Sequence, residues 1–407
     1  MDAGIVIVGA GHAGGSAAAL LRQYGYTGGI TLLGEEPLPP YQRPPLSKAW
    51  LKGEVGSDDL LLRPAAFYAD KQIDLRVSTQ VVSIDPHARR VALAGGESIA
   101  YDALILATGS RLRKLVAPGA DLPGVLELRT AADGDRIRAA LRPGARLAVV
   151  GGGYVGLEVA ASARALGAEV VVLEREPRLL ARVASTELSA YFAQLHRSHG
   201  VRIELGADLT GFDARDGRVA GVRLRDGRQF ECDVAVVGIG ALANEALASA
   251  AGIACQDGIV VDECARTSQE GVYAIGDCTR RPVPRYARAL RLESVPNALE
   301  QAKQAAAHVC AKPVVKPEVP WFWSDQYDVR LQIVGMAFDV AHTVVRGDVT
   351  AGRFAVFHLG ADGALQAVEA VNSPPEFVAG KMLVAAGKVI DPARLADTTI
   401  SMKELAA

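Results

Sequence analysis

Gly9, Gly11 and Gly14 stand in IVIVGAGHAGGSAAALL, and Gly151, Gly153 and Gly156 stand in LAVVGGGYVGLEVAASARALG. Glycines at this spacing can seat a pyrophosphate. The first permits a tight turn, the second lets the backbone approach the phosphates, and the phosphates then rest on a helix N-terminus. Each triplet follows a short apolar run of strand character and opens an alanine-rich run of helix character. Each is followed by a second apolar run that ends in acid: ITLLGEE reaches Glu35, and VVVLERE reaches Glu174. A carboxylate after that strand is placed to accept from ribose hydroxyls. One such pattern alone is weak, because a glycine-rich turn of an α/β fold can match it without binding a dinucleotide. Two complete patterns, each with its acid, read as two dinucleotide sites. Two dinucleotides imply redox chemistry, most simply a flavin and a nicotinamide.

The elements that must position these groups can be read along the chain. The first βαβ unit runs from Ile5 to Glu35. The proline-rich and basic PLPPYQRPPLSKAWLKG follows and resembles no regular element. VSTQVVSID and RRVALAG read as strands joined by a turn, and YDALILATGSR as a strand stopped at Thr108-Gly109. A second unit begins near Leu112, holds the second glycine pattern and runs to AVVGIGALAN. The closing segment of the first domain then returns in GVYAIGDC. From Trp321 the alternation in WFWSDQYDVRLQIVG, FAVFHLG and ALQAVEAVN suits an antiparallel sheet, with a helix around Pro375–Ala386 after it. The expected fold class is therefore α/β. Two Rossmann-like dinucleotide-binding domains, one inserted in the other, precede a C-terminal α+β domain. The expected boundaries are 1–112 with 242–320 for the flavin, 113–241 for the nicotinamide, and 321–407 for the last domain.

Composition excludes several classes. The 407 residues carry a formal net charge of −2, which argues against nucleic acid or a membrane surface as a global partner. MDAGIVIVGAG has no cationic leader, and no segment reads as a signal peptide or membrane span, so a cytoplasmic place is expected. The five cysteines, Cys232, Cys255, Cys264, Cys278 and Cys310, form no close pair. Neither a zinc site nor a disulfide active site is therefore encoded locally, and no metal is expected. Cys278 reads as a small buried filler. His196 and His199 share a helix-like segment and, with no third ligand in sight, read as solvated surface residues.

PPYQRPPLSK, GGGYVGLEVA, AIGDC, ESVPNALEQA and PWFWSDQYD carry a resemblance that spans essentially the whole chain. The chain resembles the pyridine-nucleotide-disulfide oxidoreductase superfamily, and within it the single-electron-transferring FAD-dependent ferredoxin reductases of bacterial oxygenase systems. That resemblance implies FAD held by Gly9, Gly11, Ala13 and Gly14, with Glu35 on the adenosine ribose. It places Arg43 and Lys48 at the flavin or its phosphates, and Val81 at the adenine side. Thr108, Gly109 and Arg129 should lie along the cofactor, Asp277 on the ribityl chain and Val295 at the isoalloxazine edge. Trp323, from a cluster unusual in a chain only 5% aromatic, should cover the flavin. By residue type alone, Lys48 and Arg129 would read as surface cations; the motif raises them.

For the nicotinamide, the resemblance implies Gly151, Gly153 and Gly156 under the pyrophosphate. Ile239 and Gly240 should line the same pocket. Glu174 should accept from the ribose of NADH and repel the extra phosphate of NADPH, a preference that Arg175 beside it weakens. Tyr154 should guard the hydride face, with a packing tyrosine at a helix start as the plainer reading. Glu158, one helical turn on, should lie near the nicotinamide amide, so Tyr154, Glu158 and Lys48 form the expected catalytic set.

Thiol reductases of the superfamily carry redox cysteines after the first βαβ unit. This chain has Pro44, Pro45, Leu46 and Ser47 there and no cysteine before Cys232. The expected acceptor is therefore external: a two-iron two-sulfur ferredoxin that serves a monooxygenase of the haem type. A rubredoxin or ring-hydroxylating dioxygenase system is an alternative. An NADH-sensing flavoprotein like the apoptosis-inducing factors is another, lowered by the lack of a long basic tail. A monomer or weak homodimer is expected. Arg280, Arg281, Arg285, Arg288 and Arg291, with Arg63 and Lys303, could form a basic rim for an acidic ferredoxin.

Overall fold

IVIV forms the strand Ile5–Val8, buried at every residue, and ITLL forms the parallel strand Ile30–Leu33 beside it. In the computed structural model, which describes residues 3–406, these strands lie in a parallel five-stranded sheet. Its order is Val272–Ala274, Ala103–Leu106, Ile5–Val8, Ile30–Leu33, Ile73–Arg76. The chain runs outward from Ile5–Val8 in one direction and then returns to its other side. That leaves a switch point at the carboxyl end of Ile5–Val8, where open α/β sheets bind ligands. The helix His12–Gln23 packs its alanines Ala17 and Ala18 into the core under this sheet, together with Ala302 and Ala305 of the helix Val295–Val309.

A second sheet repeats the plan: Arg202–Leu205, Glu169–Glu174, Arg146–Val150, Val234–Val237 and Val125–Glu127, all parallel. The helix Tyr154–Ala165 follows Arg146–Val150 as His12–Gln23 follows Ile5–Val8. The C-terminal segment forms an antiparallel sheet of order Trp321–Gln326, Val329–Gly335, Leu365–Val371, Arg353–Leu359, His342–Asp348, with the helix Pro374–Ala386 packed on it. The α/β fold with an antiparallel last domain is the one expected from the sequence. Among the described residues, no helix is long and apolar enough to cross a membrane.

The chain packs as two units: residues 1–42, 57–111 and 242–322, and residues 43–56, 112–241 and 323–407. The second glycine pattern and the last domain thus share one unit. The proline-rich segment departs from the expectation of an irregular run beside the first βαβ unit. It forms a 3-10 turn over Pro44–Ser47 and a short helix Ala49–Lys52, and from Arg43 onward it belongs to the second unit. Proline at the start of the turn presets its φ. Ser162 Oγ donates to the Ser47 carbonyl at 2.7 Å, and the buried Trp50 lies under the Arg138 guanidinium at 5.2 Å. Those contacts outweigh chain proximity.

Candidate functional site

In the first unit the glycine loop leaves the end of Ile5–Val8 with Gly9 at φ +111°, and a Cβ there would stand 2.2 Å from the Ala107 carbonyl oxygen. A Cβ at Gly14 would stand 1.9 Å from the Gly9 oxygen, so this glycine lets the helix close on the turn. Gly11 differs: a Cβ there meets nothing within 4 Å. Gly11 is the N-cap of His12–Gln23, and no side chain caps that helix. A helix N-terminus with no side-chain cap, beside space that a side chain would fill, suits a pyrophosphate.

The other expected flavin residues of this unit are placed as follows. Glu35 is exposed after Ile30–Leu33, with Gln80 Nε2 at 3.4 Å. Thr108 Oγ1 donates to the Asn244 carbonyl at 2.7 Å, and Asn244 Nδ2 donates back to the Thr108 carbonyl at 2.9 Å, which fixes the turn at Gly109. Asp277 accepts from Ser110 Oγ at 3.1 Å. Its turn is held by Gln301, whose Oε1 accepts from Gly276 N and Thr279 Oγ1. Sequence reasoning misses Gln301; its place inside ESVPNALEQA is the only signal that could raise it. Ala13 is buried in the first turn of His12–Gln23, Val81 is buried at the start of Val81–Asp85, and Val295 opens Val295–Val309.

The second unit repeats the loop. Gly151 sits at φ +109°, where a Cβ would stand 2.4 Å from the Gly238 oxygen, and a Cβ at Gly156 would stand 2.4 Å from the Gly151 oxygen. Gly153 again faces open space and caps Tyr154–Ala165 without a side-chain bond. Glu174 is more firmly set than Glu35. Its Oε2 accepts from Gly152 N at 2.6 Å and its Oε1 from Glu176 N at 2.8 Å. Arg175 is exposed and pairs with Glu176. Gly240 sits at φ +107°, and its carbonyl accepts from Arg113 N at 2.9 Å. Tyr154 is half-buried at the first residue of its helix. Burial, with the Glu369 carboxylate nearby, holds its phenol well above the ordinary value.

Glu158 is the polar centre of this unit. It is 5% exposed on Tyr154–Ala165. Lys48 Nζ approaches its Oε2 at 2.6 Å, Ser47 Oγ donates to the same oxygen at 2.5 Å, and Ser324 Oγ donates to Oε1 at 2.6 Å. Lys48 also donates to the Pro44 carbonyl at 3.0 Å. The structure thus joins two of the three expected catalytic residues. It adds Ser47 and Ser324, which lie inside the motifs but carry no chemical signal of their own. Arg43 Nη1 donates to the Arg129 carbonyl at 2.5 Å, and Asp133 holds the Arg129 and Thr130 amides, so these expected flavin cations share one corner. Trp323 is half-buried in Trp321–Gln326, one residue before Ser324.

Three residues depart from expectation. Arg281 is buried and pairs with Glu300 at 2.6 Å, and Arg291 is engaged by Asp257 and Glu293, so neither belongs to an exposed basic rim. Distance along the chain hid the partner of Arg281, since Glu300 lies 19 residues further on, in the helix Val295–Val309. His196 is not a surface residue: it is fully buried, bonded through Nε2 to Gln326 and through Nδ1 to Tyr327. Cys278, by contrast, is buried as expected. Among the described residues no group of three metal-ligating side chains occurs.

Burial pushes the His196 imidazole from 6.5 down to about 4. The unfolded chain therefore takes up a proton that the folded chain refuses. Stability from this residue is present above pH 6.5 and is lost as pH falls through 4, by about 3 kcal/mol in all. The expected result is a melting temperature that falls between pH 6.5 and 4 more steeply in the wild type than in His196→Gln. Parallel curves would show that His196 is not the group responsible.

Two Rossmann-type units with open glycine cradles define a two-dinucleotide oxidoreductase. The family model for pyridine nucleotide-disulphide oxidoreductases matches residues 3–302, and the reductase C-terminal model matches residues 321–406. A probable ferredoxin reductase, CtmF, of Castellaniella defragrans is 48% identical and covers 99% of this chain and 98% of its own. The ferredoxin reductase for the CYP199A2 system of Rhodopseudomonas palustris is 42% identical, covers 100% of both chains and superposes with a TM-score of 0.96. The covalent putidaredoxin reductase–putidaredoxin complex gives 39% identity and a TM-score of 0.96 over 99% of this chain and 98% of that one. The chain belongs to the pyridine nucleotide-disulphide oxidoreductase family, as an enzyme of its ferredoxin reductase branch. Membership implies FAD and NAD(P)H, and the two open glycine loops fit both.

Proposed function

We infer that this chain passes electrons from NADH through FAD to a two-iron two-sulfur ferredoxin, which feeds a monooxygenase, in the balance NADH + 2 ferredoxin(ox) → NAD⁺ + H⁺ + 2 ferredoxin(red). The observation that carries this reading is the lack of a thiol route beside two dinucleotide loops. In the stretch after the first βαβ unit where thiol reductases carry redox cysteines, this chain has Pro44, Pro45, Leu46 and Ser47, and Ser47 donates to Glu158. Burial pushes the Cys232 thiol up to about 12 and raises that of Cys278 as well, which keeps both as inert thiols. Bound FAD supplies the exchange between a hydride's electron pair and single electrons. The same output serves a dioxygenase-system ferredoxin equally well, because the flavin chemistry is indifferent to what the ferredoxin reduces next; a haem monooxygenase is the end point proposed.

The chain's own residues divide the work. Gly9, Gly11, Ala13, Gly14 and Glu35 hold the adenosine and pyrophosphate of FAD. Val81, Thr108, Gly109, Asp277 and Val295 hold the rest, and Arg43, Arg129 and Trp323 complete the cofactor set. Gly151, Gly153, Gly156 and Gly240 hold the nicotinamide dinucleotide. Glu174, fixed by two backbone amides, keeps acceptor capacity for ribose hydroxyls and opposes a phosphate there, which favours NADH. Tyr154 covers the hydride face. Lys48 holds positive charge near the ring, and Glu158 holds Lys48.

For docking we propose the exposed Arg63, Arg288 and Lys303 together with the half-buried Arg280 and Arg285. A basic surface orients an acidic ferredoxin and speeds encounter. Steady turnover with NADH is expected to exceed that with NADPH, and ferredoxin reduction is expected to slow as salt rises. Arg285→Glu with Arg288→Glu should slow ferredoxin reduction about tenfold at low salt and leave NADH–ferricyanide turnover near wild type. Equal rates with NADPH would sink the role of Glu174. Turnover that is fast with rubredoxin and absent with every ferredoxin would sink the acceptor, and an enzyme slow with all of them would favour the sensor.

A further inference from the structure

His196 stands 130 residues before Gln326 in the chain and meets it in space. Ser324 is 1% exposed, Gln326 1% and His196 0%. Ser324 Oγ lies 2.6 Å from Glu158 Oε1, Gln326 Nε2 lies 3.2 Å from Ser324 Oγ, and His196 Nε2 lies 2.8 Å from Gln326 Oε1. Tyr327 OH lies 3.1 Å from His196 Nδ1. The His199 ring stacks on Tyr327 at 3.7 Å between centroids, and its own Nδ1 is engaged by the Leu195 carbonyl.

The direction of every link follows from the carboxylate. Glu158 is ion-paired with Lys48, which can only donate, so Glu158 accepts at both oxygens. Ser324 must then spend its proton on Glu158 and accept from Gln326. Gln326 must turn its amide NH₂ toward Ser324 and its oxygen toward His196. His196 must carry its proton on Nε2 and accept at Nδ1 from Tyr327. Burial, which holds the imidazole neutral at ordinary pH, is consistent with that single protonated nitrogen. Donors aligned head to tail polarise one another in a low-dielectric interior.

We propose that Ser324, Gln326 and His196 are positioning residues: a one-directional hydrogen-bond chain, begun at Tyr327, that fixes the Glu158 carboxylate in charge and place against Lys48. The inference rests on the reading above that Glu158 lies beside the nicotinamide amide. It adds that the last domain, through Ser324 and Gln326, and the helix Thr186–Ser198, through His196, set that carboxylate. A chain ending on a buried acceptor loses most when its last donor goes, because one carboxylate oxygen is then left short.

The test uses the FAD-loaded enzyme. Ser324→Ala is expected to slow flavin reduction by NADH about tenfold and to raise the NAD⁺ dissociation constant, by calorimetry, by a similar factor. Ser324→Thr, which keeps the hydroxyl, is expected to restore both to within about twofold. Nitrogen NMR of the His196 ring, assigned with His196→Gln, is expected to show the Nε2–H tautomer alone in the wild type. In Ser324→Ala, a mixture of tautomers is expected, since nothing then fixes the Gln326 amide. A wild-type His196 protonated on Nδ1 would overturn the proposal. So would equal losses in Ser324→Ala and Ser324→Thr. Glu158→Gln separates the two readings. If Glu158→Gln weakens NAD⁺ and slows reduction while Ser324→Ala does neither, the chain is wrong and the site reading stands. If Glu158→Gln itself is silent, the site reading has failed.

Discussion

Gly11→Ala is expected to fold as well as the wild type and to bind FAD at least tenfold more weakly, and Gly153→Ala to keep its FAD and to bind the nicotinamide at least tenfold more weakly. Both glycines have backbone angles open to any residue, φ −88° and −81°, and neither would set a Cβ within 4 Å of another atom. Alanine there costs the empty protein little. It fills the space into which a pyrophosphate must come, at a helix N-terminus where close approach to backbone N–H groups is the source of affinity. Loss of one or two charge-assisted bonds corresponds to about 1.5–3 kcal/mol each, or at least tenfold in binding. Flavin absorbance after gel filtration reads the first variant, and NADH titration reads the second. A yellow Gly11→Ala protein with wild-type affinity would remove the pyrophosphate from that loop. The first glycines make the control. Gly9→Ala and Gly151→Ala place Cβ against the Ala107 and Gly238 carbonyls at a positive φ, so both should lower the melting temperature whether or not a dinucleotide is present.

Lys48→Met is expected to slow flavin reduction by NADH about 100-fold, the usual effect of removing a charge or donor aimed at developing negative charge. The variant is also expected to melt lower. Glu158 is 7% exposed at its side chain, and without Lys48 Nζ at 2.6 Å its charge is left to two hydroxyls. Because Lys48 keeps 21% exposure, solvent screens part of the pair, and about 1–2 kcal/mol is the expected cost. The double variant Lys48→Met/Glu158→Gln removes the uncompensated charge. It should recover most of the stability and none of the rate. Recovery of the rate in the double variant would show that Lys48 serves only to neutralise Glu158.

The glycine patterns, their strands and helices, and the acids at Glu35 and Glu174 were legible because each is a short-range object. A turn, a helix start and the next strand lie within some thirty residues, and their dihedral and hydrophobic requirements are written in the same stretch. The antiparallel last domain was legible for a similar reason, through its alternation. Burial of charge was not. Arg281 reads as one more arginine in a basic loop until the helix Val295–Val309 brings Glu300 under it. His196 reads as a solvated histidine until the turn at Tyr327 covers it. The Glu158 centre gathers Ser47 and Lys48 from 111 and 110 residues upstream and Ser324 from 166 residues downstream. No periodicity links those positions, and each hydroxyl alone is an ordinary serine. Local sequence chose where two dinucleotides could sit, because turns and helix ends are made by neighbours. Tertiary packing chose which polar groups lost their water and therefore had to find one another, and that choice built the carboxylate centre.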